Sequence, residues 1–175
     1  IVFSPPSVRA IRAGTKDVTR RVADGDPCPY NVGDRLRVLE AWATSPDGAV
    51  WYSSTYKVPD GWVRHHARTM PPELARMFLE VVSVRVERLH AIDGRDAVRE
   101  GMPPSRRNEP TARERFVDYW NTLHGAGAWD RNDFVWRIEF KIAEAPNRSG
   151  SVCRRHVEHC DALAFVPTIP KDGGQ

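Results

Sequence analysis

Apolar and polar positions alternate most cleanly near the C-terminal end of the ordered-looking chain. Phe134, Trp136, Ile138, Phe140 and Ile142 fall on one side, and Arg137, Glu139 and Lys141 on the other, which predicts a strand with one face on a core. Residues 77–89 predict a second strand whose halves are out of phase. Met77, Leu79 and Val81 share one face, while Val82, Val84 and Val86 share the other. A bulge or sharp bend near Val81-Val82 reconciles them, as in strands that curl into small barrels. A third strand runs over residues 35–42, with Leu36 and Val38 on one face, and a short β-favouring run covers residues 17–22.

Helical spacing appears three times. Residues 5–13 place Val8 and Ile11 on one face, with proline in the first turn and Gly14 at the end. Residues 93–100 offer Asp93 as N-cap and Gly101 just past the end, so Glu100 is expected in the last turn. Thr111 and Glu114 form a capping-box pattern, and the helix behind them carries Phe116, Tyr119, Trp120 and Leu123 on one stripe before Gly125. Between the elements, residues 24–34 and 101–110 read as loops. Residues 43–75 read as a long segment with one short strand near 50–52, covering the site as a lid or loop rather than forming its own domain. Strands separated by unequal helices and loops predict an α+β protein, a small curved mixed sheet with helices at its ends.

Composition adds little until its distribution is considered. The 175 residues are 41% hydrophobic and 28% charged, ordinary for a globular chain, and no apolar run approaches the roughly 18 residues of a membrane span. Three scattered cysteines and no charged leader ahead of an apolar segment point to a cytoplasmic protein. The net charge of +3 is modest, but residues 1–21 concentrate Arg9, Arg12, Lys16, Arg20 and Arg21 against Asp17 alone. The chain has 22 arginines and four lysines, so a lysine inside an arginine cluster stands out. Lysine alone among these cations can give up its proton and act as a base. Lys16 also sits just behind Gly14, at a turn between packed elements, where reactive side chains concentrate.

The order of these motifs resembles the ASCH-domain proteins of the PUA-like β-barrel superfamily, most of all the versions carried by phages and prophages. The matching stretches are Phe3-Ser4 with Val8-Arg9-Ala10-Ile11, and Gly14-x-Lys16-x-x-Thr19-Arg20-Arg21. They continue with Gly33-Asp34-Arg35-Leu36-x-Val38-x-Glu40-x-Trp42, then Val86-Glu87-Arg88-Leu89 leading to Ala97-Val98-x-Glu100-Gly101, and last Trp136-x-Ile138-Glu139-Phe140. The resemblance implies a PUA-like (ASCH) domain over residues 1–142, with an insertion at about 43–75 and a C-terminal extension at 143–175. One bacterial branch of the superfamily removes the acetyl group from N-acetylcytidine with a lysine, a threonine and a glutamate. Those positions here are Lys16, Thr19 and Glu100.

The implied function is an amidohydrolase acting on N-acylated cytidine or a similar modified nucleobase, without metal or cofactor, in the cytoplasm (the host's, if phage-encoded). Lys16 is then the base, Thr19 the nucleophile and Glu100 the proton shuttle, with Arg20 or Arg21 holding an anion. The reading requires Lys16 in the turn and Thr19 in the strand, since an unbroken strand would send them to opposite faces. Two alternatives use the same basic cleft: a non-catalytic reader of RNA or DNA, and a ribonuclease. Trp51 and Trp62 are candidates for stacking on a base, and His65-His66 reads as solvated. Cys153, His156 and Cys160 share a helical face in a metal-like cluster, against the plainer reading of an exposed helix.

Overall fold

The computed structural model describes residues 1–24 and 28–145. The chain opens with helix α1 (Pro5–Arg12), N-capped by Ser4, and burying Val8 and Ile11. Its end is a Schellman closure. Gly14, at φ +71°, donates to the Ile11 carbonyl and Thr15 donates to that of Ala10, so the chain reverses at once into strand β1 (Val18–Val22). Then come β2 (Arg35–Arg37), β3 (Trp42–Thr44), β4 (Val50–Tyr52), β5 (Val63–His65) and the long β6 (Phe78–Arg88). Helices α2 (Gly94–Arg99) and α3 (Ala112–His124) precede β7 (Phe134–Ala143).

Four of these strands form one curled half-barrel sheet in the order β1-β7-β6-β2. Every pairing in it is antiparallel, which corrects the expected mixed sheet. β6 slips register between Val81 and Ser83, at the bulge that the two out-of-phase halves predict. Ahead of it Leu79 and Val81 are buried, and beyond it Val82 and Val86 are exposed. The strand expected over residues 35–42 is broken: β2 ends at Arg37 and β3 begins at Trp42 in another sheet. Between them Val38 donates to the Met77 carbonyl and Leu39 to that of Ile1, so the link is tied to two neighbours.

Residues 43–75 are more regular than a loop. With Trp42 they build a three-stranded antiparallel sheet, order β4-β3-β5, packed around Trp42, Tyr52 and Met70. Arg76 fastens this sheet to the chain before it: its guanidinium binds Glu40 at 2.8 and 3.1 Å and lies over the Tyr52 ring. Glu40 is itself buried and also accepts a hydrogen bond from Ser54.

Two apolar clusters flank the half-barrel. One packs Phe3, Val8 and Ile11 against Leu79 and Phe140; the other packs Leu89, Ile92 and Ala97 against Phe116, Trp120 and Val135. Full burial of each large aliphatic side chain is worth about 1.5–3 kcal/mol, so these faces hold the helices to the sheet. The two-faced pattern expected of β7 is only half right. Arg137, on its polar face, is buried as deeply as Ile138, whereas Phe134 and Ile142 at its ends are exposed. Helix α2 covers that polar face with acids, which makes burial of the arginine tolerable. Among the described residues, no helix is long and apolar enough to cross a membrane.

Candidate active site

The turn after α1 is fastened to the end of α2. Lys16 and Glu100 form an isolated antiparallel bridge, and Asp17 donates its N–H to the Arg99 carbonyl. The Arg99 guanidinium returns two bonds of 2.9 Å to the Asp17 carboxylate. Glu100 is the residue that caps α2 rather than a member of its last turn. Gly101 follows at φ +92°, and a Cβ there would meet the Ala10 Cβ at 3.0 Å and the Lys16 Cβ at 3.4 Å. Only glycine allows that backbone conformation and that closeness together, so the Lys16 side chain lies pressed beneath the turn.

Lys16 is 3% exposed and donates all three ammonium protons. They go to the Val18 carbonyl at 2.8 Å, the Glu100 carbonyl at 2.8 Å and Glu100 Oε2 at 2.6 Å. The other carboxylate oxygen of Glu100 accepts from Arg20 at 3.2 Å. Thr19 lies in β1 and Lys16 in the turn before it, the arrangement the three-residue spacing needs. Thr19 is 4% exposed, and its hydroxyl makes no hydrogen bond among the described residues.

The alternation of β1 separates the two arginines behind Thr19. Arg20 turns to the acids of α2 and β6: it contacts Glu87 at 2.6 Å, Asp96 at 2.5 Å and Glu100. Its cross-strand partner Arg137 also binds Asp96, at 2.9 Å, and pairs with Glu139. Two like charges opposite each other on a sheet repel, and here the shared Asp96 carboxylate offsets that repulsion. Arg20 is thus committed to three carboxylates, of which Glu100 is buried. Arg21 is different: it donates to the Val2 carbonyl at 2.7 Å, and its buried Nε has no partner.

Burial alone would raise the Asp96 pKa, but hydrogen bonds and charge from Arg137 and Arg20 hold it down at about 2, below the ordinary 3.8. A depressed folded-state pKa stabilises the fold above the unfolded value, and that contribution is lost as pH falls through the folded one. We therefore expect the urea midpoint to drop between pH 3.8 and about 2. Asp96 accounts for on the order of 1 kcal/mol of this, allowing for solvent screening of a partly exposed carboxylate. Asp96→Asn should flatten the slope; an unchanged slope would show that Asp96 does not carry it.

Lys16, Thr19, Arg20, Arg21 and Glu100 all line a single cavity of about 350 Å³. The α3 stripe lines it as well, through Phe116, Tyr119, Trp120 and Leu123. Trp120 is 2% exposed and its indole N–H has no partner. Tyr119 joins Ser4 and Ser7 in a hydroxyl cluster, each contact 3.1–3.2 Å. The insertion contributes His66, Ala67 and Arg68 to the rim. Trp51 and Trp62 do not line the cavity; they pack edge to face on the smaller sheet, ring centres 5.8 Å apart. His65 is stacked on Trp42 and hydrogen-bonded to Thr44.

Among the described residues no group of three or more His, Cys, Asp and Glu side chains is arranged to hold a metal. Cys153, His156 and Cys160 lie outside the described residues. No family model matches the sequence, and no curated protein matches it. Among solved structures, the chain is similar to the crystal structure of a hypothetical protein, PH0355. The identity is 13%, the match covers 81% of this chain and 95% of that one, and the TM-score is 0.43.

Proposed function

We propose that the half-barrel is a PUA-like domain of the ASCH type, as phages and prophages carry it, and that the protein is an amidohydrolase of N-acylated cytidine or a related modified nucleobase. One observation carries this reading. A buried amine lies 2.6 Å from a buried carboxylate, and both line one cavity of about 350 Å³ together with a threonine whose hydroxyl makes no hydrogen bond among the described residues. That volume is at the lower end of small-molecule sites and suits a nucleoside. Trp120 and Arg21, each with a buried N–H that has no partner, line the same cavity.

The chemistry closes on these three side chains. Lys16 passes a proton to Glu100 across the short contact, leaving a neutral amine and a carboxylic acid. The amine takes the Thr19 hydroxyl proton as Thr19 Oγ1 attacks the acyl carbon. The C–N bond breaks, and Glu100 returns its proton to the departing nitrogen. The acyl group is then an ester on Thr19, and the lysine is again an ammonium beside a carboxylate. Water gives a proton to the Glu100 carboxylate as its oxygen attacks the ester carbon; the C–O bond to Thr19 breaks, that proton passes to Thr19 Oγ1, and the carboxylic acid leaves. Arg20 takes part only by holding Glu100 in place; an anion contact falls to Arg21.

The test is incubation of the full chain with N-acetylcytidine, with the ultraviolet spectrum reporting loss of the acetyl group. Wild type should hydrolyse it, and Lys16→Ala should not. Equal rates from the two proteins would overturn the hydrolase reading in favour of a nucleic-acid reader in the same cleft. Shortening of labelled RNA would favour a ribonuclease instead.

A further inference from the structure

The cavity described above does not end at Thr19. A second hollow of about 510 Å³ adjoins it, and the two share three side chains: Arg21, Arg68 and His124. These three come from separate elements. Arg21 is on β1, Arg68 in a single 3-10 turn (Ala67–Thr69) of the insertion, and His124 is the last residue of α3. Their convergence is therefore tertiary and has no trace in local sequence.

Arg68 and His124 are exposed and Arg21 is half-buried, and their pairing sets all three apart from the other cations nearby. Lys16, Arg20, Arg99 and Arg137 each bind at least one carboxylate. Neither Arg21 nor Arg68 does, among the described residues. Arg21 satisfies one nitrogen on the Val2 carbonyl, while its buried Nε stays unmet. The Arg68 guanidinium makes no hydrogen bond or ion pair among the described residues. The His124 ring lies on Trp120, centres 4.1 Å apart, and its nitrogens are unbonded. On the acidic side, Glu100 is already neutralised by Lys16 and Arg20, which leaves Asp24 in the second hollow and Asp133 near His124. Beside the three lie the Tyr30 and Trp136 rings.

We infer that Arg21, Arg68 and His124 form a phosphate subsite, so that the natural substrate is a nucleotide rather than a free nucleoside. Two guanidinium groups and an imidazole suit the oxygens of a phosphate ester. Their place at the junction puts that phosphate at the mouth of the base-sized cavity, with Thr19 deeper in. This inference rests on the cavity being a nucleoside site, and it names what the nucleoside carries.

The experiment is calorimetric titration of the full chain with cytidine, its 5′- and 3′-monophosphates and inorganic phosphate at low salt. At least one monophosphate should bind ten times tighter than cytidine or more, and the preference should shrink as salt is raised. Arg68→Gln and His124→Gln should each bring the ratio below threefold. Arg35→Gln, which removes an exposed arginine from β2, should leave it unchanged. Equal affinity for cytidine and both monophosphates, a ratio insensitive to Arg68 and His124, or no binding of any probe would overturn the subsite. The titrations involve no turnover, so the two proposals fail separately. A nucleotide preference without acyl hydrolysis sinks the hydrolase and leaves the subsite. Hydrolysis of N-acetylcytidine and its monophosphates at equal kcat/KM, with equal affinities, does the reverse.

Discussion

Glu100→Ala should lower the free energy of unfolding by about 3–5 kcal/mol, the usual loss when one partner of a buried ion pair is removed. Glu100 is where two buried cations meet: Lys16 Nζ at 2.6 Å and an Arg20 nitrogen at 3.2 Å. Deleting it leaves the Lys16 ammonium, only 3% exposed, with two carbonyl oxygens as its remaining acceptors. Arg20 suffers less, because Glu87 and Asp96 still hold it. Glu100→Gln keeps the volume and an acceptor oxygen, so it should fall between wild type and alanine. Replacing both partners, as in Lys16→Met with Glu100→Leu, should recover much of the loss, since an apolar pair of similar volume removes the uncompensated charge. Urea denaturation followed by circular dichroism measures all four proteins. A loss below about 1 kcal/mol for Glu100→Ala, the range of an exposed pair, would show that water reaches the lysine.

Thr19→Val should behave in the opposite way, folding normally and hydrolysing nothing. The hydroxyl makes no hydrogen bond among the described residues, so its removal breaks no internal bond. Valine keeps the β-branched shape and strand preference that β1 needs opposite Ile138. Stability should therefore change by less than about 1 kcal/mol. Turnover of N-acetylcytidine should fall at least about a thousandfold, the scale on which removing a covalent nucleophile acts. Thr19→Ser, which restores a hydroxyl, should recover part of the rate. A Thr19→Val protein that still hydrolyses the substrate would remove threonine from the mechanism, whatever became of Lys16 and Glu100. The two experiments complement each other because the proposed mechanism asks Glu100 to serve both stability and chemistry, and Thr19 to serve chemistry alone.

Much of the local structure could be read from the chain. Gly14 placed the reversal after α1, Asp93 and Thr111 placed two helix starts, and the phase change at Val81-Val82 placed the bulge in β6. Each is a short-range matter: a φ angle, a cap, a two-residue period. Within residues 43–75 the short strand near 50–52 was legible and is β4, but β5 was not, because it is three residues long and owes its form to pairing on β3. The break between β2 and β3 had the same cause, a change of partner that periodicity does not record.

The candidate site divides along the same line. That Lys16 sits in a turn and Thr19 in the strand behind it follows from the sequence, since Gly14 ends the helix and the following residues favour β structure. Which side chain each charge meets does not follow. Glu100 lies 84 positions from Lys16, and the sequence carries no mark that one carboxylate will stand between Lys16 and Arg20. Arg20 and Arg21 look alike as neighbours; folding gives one to three acids and leaves the other at the cavity without a carboxylate, because strand alternation points them apart and only one side is covered by α2. The α3 stripe is amphipathic on any reading, but whether it faces packed core or a hollow depends on the curl of the sheet opposite. Backbone preferences act over a few residues and are written locally. Charge compensation and cavity shape arise only where distant segments close around the same volume.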